Sequence, residues 1–292
     1  MARKLIQLSP STTVISLPSK WIKQQQLKKG DSIHVTEEPH QLILTPLERS
    51  TKKELILDLS SLPERTMWIY LDAAYVAGYD EIIVNTSGHE QHDIIHIIVQ
   101  HHPGLIVDDE SKTRIHLKDI ARDGQTDVNK MVTRVFHMII SFIQEMHEHA
   151  LAKDYPVLVD AKRRDLLINS YIMYAQRLIN KYGYREVGKG GLMHTYLKIL
   201  EIISDKLALI FIAIGENEKY DEPALLEEVI CIFQELQATH TKYAQEKIVK
   251  FEQTRVKFLE HLPGIDKMYE QQYNEIGSLL FDLEEVEIQL NL

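Results

Sequence analysis

The sequence predicts a multi-domain α+β protein with a small β-rich N-terminal unit, a small α/β module and a C-terminal antiparallel helical bundle. Short apolar runs separated by turn residues fill residues 1–48, and strand-length and helix-length runs alternate over residues 52–120. From residue 124 to the end, apolar residues recur every three or four positions. At 292 residues the chain is long enough for two or three domains with cores of their own.

The N-terminal unit is predicted to contain two pairs of strands with a short helix between them. Residues 5–17 indicate two strands around a Ser/Pro/Thr turn, and "PSKWIKQQQLKKGD" indicates a helical turn that Pro18 opens and Gly30 ends. The runs "SIHV" and "QLILT" indicate the second pair. A unit of about 45 residues is marginal by itself, so we expect it to need a second copy of the chain.

The α/β module begins with the strand "ELILD", a helix with Ser and Pro residues at its start that Gly78 ends, and the strand "EIIV". A second helix around "EQHDIIHIIVQHH" and the strands "GLIVDD" and "TRIHLKDI" complete it. Alternating strands and helices of these lengths predict one small sheet with helices on one face.

The helical region is predicted to hold about five antiparallel helices. The first buries one face, with Val128, Met131, Val132, Val135, Ile139, Phe142 and Met146 at helical spacing. Gly183 is expected to end the second helix and Gly215 the third. A fourth runs from "EPALLEEV" to Pro263, about 40 residues. The fifth carries a coiled-coil-like apolar seam at Ile276, Leu279, Leu283, Val286 and Leu290.

Charge is unevenly distributed along the chain. Residues 1–30 contain six cations and no acidic residue, and the whole chain carries −10, so the other 262 residues carry −16. A polyanion such as DNA is therefore expected to contact the N-terminal unit, through Arg3, Lys4, Lys20 and Lys23, because the rest of the chain repels it. On charge alone, a solvated basic surface is an equally good interpretation.

The segment "STTVISLPSKWIKQQQLKKGDSIHV" resembles the AbrB, SpoVT and MazE swapped-hairpin module. The match covers residues 3–45 and includes, in the order of the motif, Val14 to Leu17, Pro18, Trp21, Leu27, Gly30, Asp31 and Val35. The resemblance implies that two chains interleave their hairpins into one small dimeric β-barrel, of which one basic face contacts DNA. Where many DNA-binding members have arginine, this sequence has Lys20 and Lys23, so the resemblance supports the dimer better than the DNA contact.

Two carboxylates four residues apart, Glu201 and Asp205, are a candidate metal pair in "YLKILEIISDKLA". The spacing places both on one helix face, about 6 Å apart at Cβ, and oxygen donors suit hard or borderline cations. Such pairs are common on helices and are mostly solvated, so spacing alone favours a solvated face.

The helical region also resembles PhoU domains, three-helix bundles in which acidic pairs from neighbouring helices hold metal clusters. "ILEIISDKL" is similar to the Glu-Arg-Ile-Gly-Asp segment, and "AKRRDLLINSYIMYAQRL" to the Val-Asp-Arg-Leu segment of the preceding helix. The resemblance implies a divalent or iron-type metal ion on Glu201, Asp205 and Asp165. Ile202 and Ser204 replace the motif's Arg and Gly, and Ala161 replaces its second glutamate.

The order of the parts resembles archaeal-type phosphate uptake regulators over nearly the whole chain. That resemblance implies a cytoplasmic PhoU-like regulator of phosphate uptake that works as a homodimer or higher homo-oligomer. Its implied partners are a phosphate transporter ATPase or a signalling protein. Two alternatives stay open: an AbrB-type transcriptional regulator whose helical body senses a metal or a partner, and a pure adaptor in which the head only dimerises.

Other features favour a non-enzyme outside the membrane. No Ser-His-Asp or Cys-His order has a recognisable nucleophile context. No stretch of about 18 apolar residues occurs, and Cys231 has no second cysteine to pair with, so a reducing cytoplasm is expected.

His92 and His96 have a spacing that can bind zinc, but "HEQHD" departs from the metalloprotease motif at Asp93, and solvated histidines are the favoured interpretation.

Overall fold

A computed structural model describes residues 3–38, 41–46, 52–121, 127–186, 188–221 and 223–292. It divides into two compact units, Met1–Glu54 and Leu55–Leu292. The predicted domain boundaries near residues 48 and 124 lie outside the described residues. The predicted α/β module and helical region therefore share the second unit. No helix in the described part of the chain is both long enough and apolar enough to cross a membrane.

The first unit has the predicted elements, β1 Ile6–Ser9, β2 Thr12–Val14, α1 Ser19–Gln24, β3 Ile33–Glu38 and β4 Gln41–Pro46. The strands form two antiparallel hairpins, β1 with β2 and β3 with β4. Pro18 precedes α1 in an extended conformation, and Gly30 has a φ of 99° beyond its end. We call this unit the head; no side chain that the structure describes in it is buried.

The α/β module consists of β5 Glu54–Asp58, α2 Glu64–Val76, β6 Glu81–Asn85, α3 His89–Gln100, β7 Leu105–Ser111 and β8 Arg114–Asp119. The strands form one sheet in the order β5-β6-β8-β7, with β8 antiparallel to both neighbours. Alternate residues of β6 and β8 are buried in a core that they share with α2 and α3: Ile82, Val84, Ile115 and Leu117. The elements predicted for this module are confirmed, and each forms because its apolar residues follow a strand or helix period.

The helical region contains α4 Val128–Leu151, α5 Tyr155–Val159, α6 Ala161–Tyr182, α7 Gly190–Asn217, α8 Pro223–Thr241, α9 Gln245–His261 and α10 Lys267–Asn291. Helices α4, α6 and α7 pack against one another; α9 packs against α8 and α10. The two sets of three helices meet where α4 contacts α8 and α7 contacts α10. One continuous apolar core runs through both sets.

Two predictions about this region were wrong. The expected 40-residue helix is two helices, because Ala244 is extended between them and α9 folds back onto α8 to bury Phe251 and Phe258. Gly215 does not end its helix, since α7 continues to Asn217. Instead, Gly215 allows α5 to approach: a Cβ there would lie 2.9 Å from the Tyr155 carbonyl oxygen and from the Val159 amide nitrogen.

Candidate functional site

The four cations predicted to contact DNA lie in the head. Arg3 and Lys4 precede β1, while Lys20 and Lys23 lie on α1. All four side chains are exposed, and within the described residues none has an ion-pair partner. This arrangement leaves their charge available to a polyanion, and DNA contact stays a prediction.

The three predicted metal ligands lie near the contact of α6 with α7, and Asp165 is the centre of a polar network there. Asp165 is fully buried, and its carboxylate accepts a hydrogen bond from Ser204 Oγ at 2.7 Å and from Lys162 Nζ at 2.6 Å. Asn169 Nδ2 donates to it at 3.2 Å. Lys162 Nζ also donates to Asp205 Oδ1 at 2.5 Å, so one ammonium group joins the two carboxylates.

The surroundings shift the pKa values of Asp165 and Asp205 in opposite directions. Burial raises the pKa of Asp165 to about 6, against its ordinary value of 3.8, although Lys162 and Ser204 oppose the shift. Partial burial also acts to raise the pKa of Asp205, but its hydrogen bonds with Lys162 and Asp165 outweigh that effect and lower it. Burial acts to lower the pKa of Lys162, yet its two carboxylate partners raise it overall. The network therefore holds a proton on Asp165 in mildly acidic solution.

Glu201, the third predicted ligand, does not join this network. Its side chain is 22% exposed and forms an ion pair with Lys198 one turn earlier. It lines a cavity of about 350 Å³ between α2, α6 and α7, which Asp72 and Asn169 also line. Each of the three carboxylates thus lies beside an ammonium group, and a metal ion would have to displace Lys162 from between two of them. Metal binding by Glu201, Asp205 and Asp165 stays a prediction.

The histidines of α3 are arranged differently from the solvated set that was expected. His96 is 46% exposed, but His92 is only 1% exposed, so the prediction for His92 was wrong. His92 Nε2 lies 2.6 Å from Thr86 Oγ1, and His92 Nδ1 lies 2.8 Å from Glu110 Oε1. The other Glu110 oxygen lies 2.9 Å from His96 Nε2. The sequence showed the helical spacing of the histidines, but not that β7 brings Glu110 to them.

A buried ionic cluster joins the α/β module to α6, and no sequence signal pointed to it. Arg177, which is fully buried, donates to the carbonyl oxygens of Tyr75 and Tyr79 at 2.6 and 2.7 Å. It also donates to Asp119 Oδ2 at 2.5 Å, and Lys181 binds the same oxygen. The guanidinium group stacks over the Tyr75 ring, 4.8 Å from the ring centroid. These contacts fix the α/β module on the helical region.

Comparison of the chain with protein-family models, with curated proteins and with solved structures gives no match. Membership of the AbrB-like and PhoU-like families is therefore a proposal. What the chain does must be inferred from its own residues and their arrangement.

Proposed function

We propose that this protein is a non-enzymatic regulator of phosphate uptake that dimerises through its head and acts through protein contacts of its helical region. The observation that carries the proposal is the combination of a head in which no described side chain is buried and six long helices packed in two sets of three. These are the parts that the resemblance to the swapped-hairpin and PhoU-like families implies, in the same order along the chain.

The described part of the head leaves several large apolar side chains exposed to water. Six apolar residues of its two hairpin segments are between 48% and 73% exposed: Leu5, Ile6, Leu8, Ile15, Val35 and Leu42. Full burial of one such side chain contributes about 1.5–3 kcal/mol, so a second head that covers several of them would stabilise both heads. This supports dimerisation by exchange of hairpins between two chains.

The helical region supports the second half of the proposal. Helices α4, α6 and α7 form one set, and α8, α9 and α10 form the other, in which His240 Nδ1 of α8 lies 2.9 Å from Glu287 Oε2 of α10. Residues 124–292 contain 19 lysines and arginines against 26 aspartates and glutamates, a net charge of −7, so this region repels nucleic acid and favours contact with proteins. A transporter ATPase or a signalling protein is the proposed partner.

Light scattering on the full-length protein tests the dimer. We expect a mass of twice 33.9 kDa for the wild type. Replacement of both Leu8 and Leu42 by aspartate should shift the mass towards one chain, because two charges would enter the shared apolar core. Leu209→Asp changes a residue of α7 that is 52% exposed and should leave the dimer intact. A wild-type monomer at tens of micromolar would contradict the proposal.

Radiolabelled phosphate uptake by cells that lack the protein tests the function. We expect uptake to rise when phosphate is plentiful, and to return to normal with the wild type but not with the Leu8/Leu42 double variant. Unchanged uptake in the deletion strain would reject the regulatory role even if the protein is a dimer.

The exposed cations of the head favour one alternative, a transcriptional regulator. Fluorescence-anisotropy titration with mixed-sequence duplex DNA at about 50 and 200 mM salt tests this alternative. Such a protein should bind at the lower salt and lose affinity steeply at the higher salt. Neutralising Arg3, Lys4, Lys20 and Lys23 should then abolish binding. Absence of binding at the lower salt would exclude this alternative and leave the head as a dimerisation unit.

A further inference from the structure

Three potential metal ligands meet where α3 begins beside β7. His89 and His92 lie one turn apart on α3, and Glu110 lies on the facing strand. One ligand atom from each lies within 4.8 Å of the other two, and this is the one such group of His, Cys, Asp or Glu found among the described residues. These three residues, the histidine-glutamate cluster, are distinct from the acidic residues of α6 and α7.

The spacing of the histidine-glutamate cluster is close to that of a tetrahedral zinc site. Two donors on one zinc ion lie about 3.3 Å apart, and two coordinated imidazole rings have centroids about 5.2 Å apart. Here His92 Nδ1 and Glu110 Oε1 are 2.8 Å apart, and the ring centroids of His89 and His92 are 5.6 Å apart at an interplanar angle of 70°. These two separations lie within about 0.5 Å of the zinc values, and the ligand atom of His89, which lies within 4.8 Å of the other two, would move closer to them when an ion binds.

The surroundings of the cluster orient its ligands. Thr86 is buried, and its Oγ1 accepts the Nε2 proton of His92 in the tautomer that leaves His92 Nδ1 free to bind a metal. His96 holds the second oxygen of Glu110, which turns Oε1 towards His92. His92 is almost fully buried and so has one fixed ring position. Hydrogen bonds of this kind, from residues that do not themselves bind the ion, orient metal-binding histidines and carboxylates in proteins.

We infer that His89, His92 and Glu110 form a zinc-binding site that is open to solvent. Two imidazole nitrogens and one carboxylate oxygen suit zinc, whereas magnesium and calcium prefer oxygen donors alone. His89 is exposed and the Glu110 side chain is 33% exposed, so water can supply a fourth ligand. This inference does not depend on the proposed role in phosphate uptake, because the site lies in the α/β module and is argued from its own ligands.

Competition between the tag-free, full-length protein and a chromophoric zinc chelator tests the inference. We expect one zinc ion per chain, and at least a tenfold loss of affinity in both His89→Gln and Glu110→Gln. His137→Gln removes an exposed histidine of α4 and is the matched control, which should bind as the wild type does. Because His89 is exposed, its replacement should leave the circular dichroism spectrum unchanged.

A second measurement identifies the ligands directly. Cobalt substituted for zinc should give visible absorption bands of a four-coordinate site in the wild type, and His89→Gln should change them. Failure of the wild type to bind zinc would overturn the inference, and so would equal affinities in the His89→Gln and His137→Gln variants. Binding that Glu201→Ala abolishes and Glu110→Gln leaves unchanged would also overturn it, and would move the metal to the acidic residues of α6 and α7.

Discussion

Replacement of Arg177 by leucine should destabilise the second unit strongly, because Arg177 joins the α/β module to α6 from a fully buried position. The change removes the charged hydrogen bonds to the carbonyl oxygens of Tyr75 and Tyr79 and to Asp119. The carbonyl oxygens of Tyr75 and Tyr79 lose this donor. The buried carboxylate of Asp119 keeps Lys181 as its remaining cation in this cluster.

The magnitude follows from these losses. Removal of one member of a buried ion pair costs about 3–5 kcal/mol, and a buried polar group left without its donor costs about 1–3 kcal/mol. The contributions are not additive, because Lys181 still neutralises Asp119 and water can reach part of the opened contact. We therefore expect a decrease of about 4 kcal/mol in the free energy of unfolding, with the range of about 3–5 kcal/mol set by the ion pair.

Urea unfolding followed by circular dichroism measures this change, and hydrogen exchange at Ala77 and Gly78 locates it at the end of α2. Arg163→Leu is the matched control on the same helix, since its side chain is 84% exposed and its nearest carboxylate, Asp160, lies 4.0 Å away. The control should lose less than about 0.5 kcal/mol. A loss below about 1 kcal/mol for Arg177→Leu, or equal losses in the two variants, would refute the assigned role of the cluster.

Two further predictions concern α6 and α7. Gly215→Ala should lower the melting temperature, because its Cβ would meet backbone atoms of α5 at 2.9 Å, at a cost of about 1–3 kcal/mol. Gly191→Ala, in open space on the same helix, should raise it by removing about 0.5–1 kcal/mol of backbone entropy cost; shifts of the same sign would contradict this. The raised pKa of Asp165, about 6 against 3.8, means that its contribution to stability is complete below pH 4 and is lost as pH rises through 6. The stability of the wild type relative to Asp165→Asn should therefore fall by about 2 kcal/mol between pH 4 and pH 7, and a constant difference in paired thermal melts would disprove the shift.

Much of the fold could be predicted because its signals are local. Strand and helix periods in residues 5–120 depend only on neighbours along the chain, and the elements predicted there are present. Gly78 and Gly183 follow the ends of helices with positive φ, as their sequence positions indicated. Gly215 shows the limit of such signals, because a glycine needed for close packing resembles in sequence a glycine that ends a helix.

The candidate sites were less predictable because they depend on distant pairs. The spacing of Glu201 and Asp205 indicated a shared helix face, but Lys162, 43 residues before Asp205, was not expected between the carboxylates. His92 was expected in solvent, yet it is buried against Thr86 and is paired with Glu110, 18 residues later in the chain. No local pattern contains this information, because the apolar period of a helix does not determine which strand will pack against the helix.

The sequence by itself determined the kinds of element, their order and the placement of the cations in the head. Secondary-structure propensity, apolar period and charge depend only on residues that are close together in the sequence. Tertiary structure alone decided that α8 and α9 are separate helices, that Arg177 is buried among carbonyl oxygens and Asp119, and that Glu110 meets the histidines. The physical reason is that burial and ion pairing are free energies of contact between residues far apart in sequence. They are set only when the elements pack.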